Sequence, residues 1–230
     1  MNPNFETQIK QRFSSDILWH FTGGGGKSEQ EAFTRLISIL KTGLKRGEQE
    51  EVFTCGASEE TVRVPGRRAC CLADIPLKDL HIHVERYNNI ALGFHKESVI
   101  RRRFNPVLYV NENASLLTEM LTKMRRIGEY IGKHDPELFR EHEECMRLVG
   151  SFCKTGTENG KGADTVSRLS RKYYEREWFS LEDWDFSPED VAILLLPGPL
   201  IPHLAEERRK GGLRLLETTP VLPTDMIYRL

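Results

Sequence analysis

The chain has 230 residues, of which 39% are hydrophobic and 29% charged, and its 33 basic and 34 acidic side chains leave a net charge of -1. This is an ordinary globular composition, long enough for one domain with an elaboration or for two small ones. Bulk charge does not announce nucleic-acid binding, which leaves only local basic patches for that role, and no apolar run approaches the ~20 residues that span a bilayer.

The N-terminal MNPNFETQIKQRF has no apolar signal core, so a cytoplasmic protein without membrane contact is expected. The cysteines at Cys55, Cys70, Cys71, Cys145 and Cys153 are odd in number and lack framework spacing. Cys70 and Cys71 are vicinal rather than a C-x-x-C, and all five read as reduced structural thiols.

Ile17 to Phe21 is short, apolar and aromatic, as a buried strand would be. Four glycines follow, Gly23 to Gly26, then Lys27 and Ser28. A glycine loop between strand and helix often cradles phosphate. The P-loop pattern nevertheless fails, because Phe21 stands where its first glycine belongs. Ser28 with Glu31 reads as a capping box. Ala32, Phe33, Leu36, Ile37, Ile39, Leu40 and Leu44 continue at helical spacing, ended by Gly43 and Gly47. Val52–Thr54 and Val62–Val64 are weak strand pieces.

Ala69 to Ile75 reads as a buried strand stopped by Pro76, with a short helix or turn at 77–80. Ile90 to Phe94 predicts a strand, Lys96 to Arg102 a helix and Pro106 to Val110 another strand. Residues 115–153 predict a helical hairpin. Leu116, Leu117, Met120, Leu121, Met124, Ile127 and Ile131 repeat with a period of about 3.6, and Pro136 suits the first turn of a second helix. Lys154 to Asp164 predicts a loop. Tyr173 to Leu181 alternates in part, Val191 to Leu196 predicts a buried strand and Leu200 to Lys210 a charged helix. Leu213–Leu216 and Met226–Leu230 are expected as final strands.

Several groups invite chemical readings. His20 ends the first predicted strand, at the mouth of a sheet; the plainer reading is a core histidine bonded to a carbonyl. Glu175 and Glu177 are two apart on a predicted strand and so share a face. They either flank a cleft, where one takes a proton or steadies positive charge, or lie on a solvated edge. His81 and His83 offer two metal ligands on a strand, but no third is obvious, so no metal is expected. Arg67-Arg68, Arg101-Arg102-Arg103 and the basic residues of 123–126 attract phosphates or are plain solvated surface.

The order of motifs resembles the AbiGi-like family of abortive phage-infection proteins. The residues that carry the resemblance are His20-Phe21-Thr22, Gly43-Leu44, the run from Cys71 to Leu77, His83 with Tyr87, Gly93-Phe94-His95-Lys96, the run from Asn105 to Val110, and Arg176-Glu177-Trp178. It covers roughly residues 17–110 and 173–196, with the hairpin and C-terminal tail less tied to it. Leu72-Ala73 after Cys71 and Phe179 after Trp178 depart from the family pattern.

The same order is similar to that of ADP-ribosyltransferases, and the early H-x-T looks like the start of DarT-type enzymes, which modify nucleic acid with NAD. By that resemblance His20, Thr22, Gly23, Gly24, His83, Tyr87 and Phe94 would bind NAD. Tyr87 or Phe94, or else Tyr173 or Tyr174, would stack on nicotinamide. Glu177 would be the catalytic carboxylate, with Glu175 activating the acceptor and His20 completing the catalytic set. NAD would be a substrate and no metal would be needed.

The expectations are therefore these. Residues 1–230 form one compact α+β domain, an ADP-ribosyltransferase-like mixed sheet with a helical hairpin inserted at about 115–153. The protein is an NAD-dependent ADP-ribosyltransferase acting as a phage-defence toxin on RNA or DNA, or a hydrolase of NAD by the same chemistry. The alternative is a non-enzymatic antitoxin or regulatory partner of a cognate protein, with the hairpin as its interaction surface.

Overall fold

The computed structural model describes residues 15–24, 26–47, 51–54, 61–64, 68–110, 115–155 and 176–229. In chain order its elements are β1 (Ile17–Phe21), α1 (Glu29–Thr42), β2 (Glu51–Thr54), β3 (Thr61–Val64), β4 (Cys70–Ala73), α2 (Leu80–Tyr87), β5 (Ala91–His95), α3 (Lys96–Arg101), β6 (Asn105–Pro106), β7 (Leu108–Val110), α4 (Ser115–His134), α5 (Pro136–Ser151), β8 (Cys153–Thr155), β9 (Glu177–Ser180), β10 (Val191–Leu196), α6 (Ile201–Lys210) and β11 (Val221–Pro223). The fold is mixed α+β. The chain divides into two compact units, one made of Met1–Arg46, Cys70–Asn105 and Glu177–Leu230, the other of Gly47–Ala69 and Pro106–Arg176.

The first unit is built on a mixed sheet in the order β11-β10-β5-β1-β4-β9-β6. β1 runs antiparallel to both β5 and β4, β9 is antiparallel to β4, and β10 is antiparallel to β5 but parallel to β11. Central strands buried on both faces are expected to read as near-continuous apolar runs, as VAILLL in β10 does. Alternation then sorts their side chains. Leu18, Leu72, Leu92, Phe94, Leu194 and Leu196 enter one core, roofed by Ala32, Phe33, Leu36 and Leu40 of α1. Trp19, Ala73, Ala91 and Leu195 enter the other, under Leu80 and Val84 of α2.

Local chemistry explains the flanking helices. In α1 the Ser28 hydroxyl accepts from Glu31 N–H while the Glu31 carboxylate accepts from Ser28 N–H, which satisfies two orphan donors. Gly43 ends the helix at φ 83, and a Cβ there would come within 2.7 Å of the Trp184 carbonyl oxygen. Only glycine fits this turn without strain. Lys96, at the start of α3, reaches Asp74 at 2.9 Å, and Asp74 also accepts from Ser15 N–H at 3.0 Å.

In the second unit β2 and β3 form an antiparallel hairpin and β7 pairs parallel to β8. α4 and α5 form the helical hairpin. Asp135 caps α5 by accepting from the N–H groups of Glu137 and Leu138, and Pro136 occupies the first turn. Gly128 and Gly132 let α5 approach α4 closely: Cβ positions there would lie 2.5 Å from the His142 ring and 3.1 Å from the Phe139 ring.

Three expectations change. Leu213–Leu216 is not a strand. Gly211 and Gly212 turn the chain at positive φ, and Arg214 N–H bonds the Leu40 carbonyl at the end of α1 rather than a ladder partner. Met226–Arg229 is not strand either, since Thr224–Arg229 is 3-10 helix, and Leu230 lies outside the described residues; Pro223, with no N–H to donate, closes β11 just before it. Finally, His81 and His83 sit on helix α2, not on a strand. Two residues apart on a helix they face different ways, and His81 bonds the Lys78 carbonyl while His83 is buried. From the predicted 154–164 loop, Lys154 and Thr155 belong to β8, and the rest lies outside the described residues.

Candidate functional site

Register places the sequence-chosen residues. Trp19 lies opposite Ala73, and Ala73 opposite Glu177, so these three share one face across β1, β4 and β9. Phe21 and Cys71, each two residues along, share that face too. His20 lies between Trp19 and Phe21 and opposite Leu92, so it belongs to the other face, toward α1. His20 and Glu177, the two ends of the expected catalytic set, thus occupy opposite faces of the sheet.

β1 and β4 pair at Trp19–Ala73, and His20 Nδ1 lies 2.9 Å from the Cys71 carbonyl oxygen, bridging the two strands from the side chain. Loss of solvent pulls His20 down to about 4, with the bond to Cys71 opposing the shift and the Arg35 charge adding to it. Its half-buried imidazole is neutral at neutral pH and ties two strands together.

On the opposite face, Glu177 is 8% exposed and accepts a hydrogen bond from the Cys71 thiol, Sγ to Oε1, at 3.1 Å. His83 comes in from α2, 5% exposed, and neither ring nitrogen has a hydrogen-bond partner. Burial is the main cause that lowers His83 to about 4; Arg86 lowers it further and Glu177 opposes. The rings of Phe21, His83 and Tyr87 form a triangle with centroids 5.9–6.0 Å apart and interplanar angles of 27–34°. Phe21, Cys71 and Tyr87 are partly exposed.

The remaining residues do not join this cluster as expected. Phe94 is fully buried in the core, 4.5 Å from the Trp184 ring and 5.1 Å from the Phe186 ring, and has no face free for stacking. Thr22 is fully buried and bonds the Ile90 carbonyl through both N–H and hydroxyl. Gly23 is packed on Asn88 and the Tyr87 carbonyl, where a Cβ would lie 2.8 Å from that oxygen. Gly24 is partly exposed beside Tyr87, and its carbonyl accepts from Lys27 Nζ at 2.9 Å. Lys27 thus folds back on its own loop and Ser28 caps a helix, so neither is set as a P-loop residue would be. Glu175, Tyr173 and Tyr174 lie outside the described residues. Among the described residues no group of three or more His, Cys, Asp or Glu is arranged to hold a metal ion, and no helix is long and apolar enough to cross a membrane.

Sequence reasoning singled out His83, Tyr87 and Glu177, which do meet, but it missed Cys71 as the donor to Glu177 and Phe21 as the third ring. The alternation of β1 could have signalled Phe21, since it shares a face with Trp19. Nothing in the sequence signals the Cys71–Glu177 contact, which needs the β4–β9 register.

A family model with the provisional description of abortive phage resistance protein AbiGi, antitoxin, matches residues 45–194. No curated protein matches the chain, and no solved structure does. The expected ADP-ribosyltransferase-like architecture therefore has no structural neighbour behind it; the mixed α+β sheet is what stands. The antitoxin description overturns the expectation of an NAD-dependent ADP-ribosyltransferase toxin. The match begins after His20-Phe21-Thr22 and Gly43-Leu44 and takes in the helical hairpin of α4 and α5. Spanning well over half of the 230 residues, the match shows that the chain belongs to the AbiGi family.

Proposed function

We propose that this protein is the antitoxin half of an abortive phage-resistance pair, a non-enzymatic protein that neutralises a cognate toxin by binding it. The observation that carries the reading is the family match over residues 45–194 and the antitoxin role in its description.

The helical hairpin supports a binding role. In α4 the seam toward α5 runs through Gly128 and Gly132, and Leu121, 1% exposed, lies on the same side of the helix. Met120, Ile127 and Tyr130 occupy another stripe and are 42%, 55% and 67% exposed. Leu138 and Leu148 of α5 are also exposed. Single exposed apolar residues need no explanation, but several along one helix at intervals of seven and three match the pattern of a protein-binding face. Lys123 and Glu119 form an ion pair at 2.7 Å beside them, a polar border of the kind that rims such faces.

The test is co-expression with the product of the neighbouring gene. Growth arrest by that product alone, relieved when this chain is present and accompanied by a stable complex, is the expected result. Toxicity from this chain alone, or failure to relieve arrest, would overturn the reading.

A further inference from the structure

In the second unit, the seam that joins α4 to α5 is fixed by Gly128 on His142 and Gly132 on Phe139. Partner numbers fall along α5 as they rise along α4, so the two helices are antiparallel. Beside the seam each helix carries a second stripe. On α4, Met120, Lys123, Ile127 and Tyr130 follow at intervals of three and four; on α5, Leu138, Glu141 and Leu148 follow at three and seven. Both helices and all of these residues are described, and every one of the side chains is exposed.

The two stripes form one face. Each residue advances roughly 100° around its helix. Ile127 stands one residue before Gly128 of the seam, and Glu141 one residue before His142. In antiparallel helices the same sense of rotation away from a shared seam leads to the same side. Tyr130 is held within the face by stacking on His134, with ring centroids 4.3 Å apart, so little side-chain freedom is left for binding to remove.

Charge selects what covers this face. α4 carries four basic and two acidic side chains, whereas α5 carries four acidic and two basic ones. Within the stripes the ions are Lys123 on α4 and Glu141 on α5. A face that is basic along one edge, acidic along the other and apolar along both is complementary to itself. A two-fold axis parallel to the helices sets α4 of one copy over α5 of the other, basic on acidic. A two-fold axis across the helices would set α4 on α4 and α5 on α5, like on like.

We propose that the face is covered by a second copy of this chain, in a two-fold dimer that lays α4 of each protomer on α5 of the other as a four-helix arrangement. This goes beyond the antitoxin reading and does not depend on it: that reading stands on the family match and asks of the hairpin only that it take a protein.

Sedimentation of the full-length protein over a range of concentrations tests the proposal. A species of twice 26.5 kDa is expected. Ile127→Glu and Leu148→Glu, both at exposed positions, should each weaken self-association at least about tenfold, as loss of a central apolar contact does. Lys123→Glu and Glu141→Lys should each weaken it as well, and the double variant should recover part of the loss, because basic and acidic edges then simply exchange places. A chain that stays monomeric at high micromolar concentration would overturn the proposal, as would a dimer that neither apolar substitution weakens. Charge variants without effect would overturn the pairing of α4 with α5. Loss of binding to the neighbouring gene's product in Ile127→Glu and Leu148→Glu, with self-association unchanged, would assign the face to that product instead.

Discussion

The Cys71 thiol donates to the Glu177 carboxylate across 3.1 Å, a diagonal pair on one face of two antiparallel strands. Cys71 is opposite Phe179 and Glu177 is opposite Ala73, so the contact spans one step of the ladder. Cys71→Ser should keep the bond and change stability by less than about 0.5 kcal/mol. Cys71→Ala should cost about 1.5–3 kcal/mol, by analogy with other hydrogen bonds to charged groups. Urea unfolding of the two variants measures the difference, and equal losses would remove the bond as the cause.

The thiols should separate by reactivity. Cys145 is exposed on α5, whereas burial pushes Cys70 up to about 12 and raises Cys153. The thiolate is the nucleophile. With iodoacetamide at pH 8, peptide mapping should find, among the four described cysteines, Cys145 alkylated first and Cys70 and Cys153 last. Early modification of Cys70 in the native protein would contradict its burial.

Acid should destabilise the first unit in a defined window. His20 and His83 are each held near 4 in the folded chain against an ordinary value of 6.5. Between these values the unfolded chain binds more protons than the folded one, so stability is fully present above about 6.5 and is lost as pH falls toward 4. Chemical unfolding at pH 7, 6, 5 and 4.5 reads this directly. His20→Gln and His83→Gln should each flatten the slope; a slope that neither variant changes would assign the effect to other groups.

The Asp74–Lys96 pair joins the chain beyond β4 to the start of α3, at 2.9 Å with Asp74 only 5% exposed. Lys96 also lies 5.4 Å from the Trp178 ring centroid. Removing Lys96 takes from the buried Asp74 carboxylate the cation 2.9 Å away. Lys96→Met should therefore cost about 3 kcal/mol, and the double variant with Asp74→Asn should recover part of it. Thermal unfolding of the three variants forms the cycle, and additive losses would mean the pair is not coupled.

Two glycines should respond differently. Gly43 and Gly26 both have positive φ, but only at Gly43 would a Cβ meet backbone. Gly26→Ala should cost about 1 kcal/mol and Gly43→Ala more than about 2 kcal/mol, since it adds a clash to the strain. Comparable losses at both would show that the Trp184 carbonyl yields easily.

Much of the fold is legible in the chain itself. The strand Ile17–Phe21, the capping box of Ser28 and Glu31, the run Val191–Leu196 and the break at His134-Asp135-Pro136 depend on local physics: side-chain period, cap chemistry and the fixed φ of proline. Those elements appear at or within a residue or two of where their residues put them. The final strands failed because an apolar stretch says only that side chains will be buried, not where the backbone finds partners. Leu213 and Leu215 are partly buried, yet their segment bonds to the end of α1.

The candidate site divides in the same way. Histidine, tyrosine and glutamate could be picked out by type, and His83, Tyr87 and Glu177 do come together. Whether His20 joined them was a matter of register, because a shift of one residue along a strand moves a side chain through the sheet. The sequence determined which residues could be buried and which could ionise. Only the tertiary structure decided that Glu177 faces α2 with Cys71 and His83 while His20 faces α1, since that choice depends on pairing between strands separated by more than fifty residues.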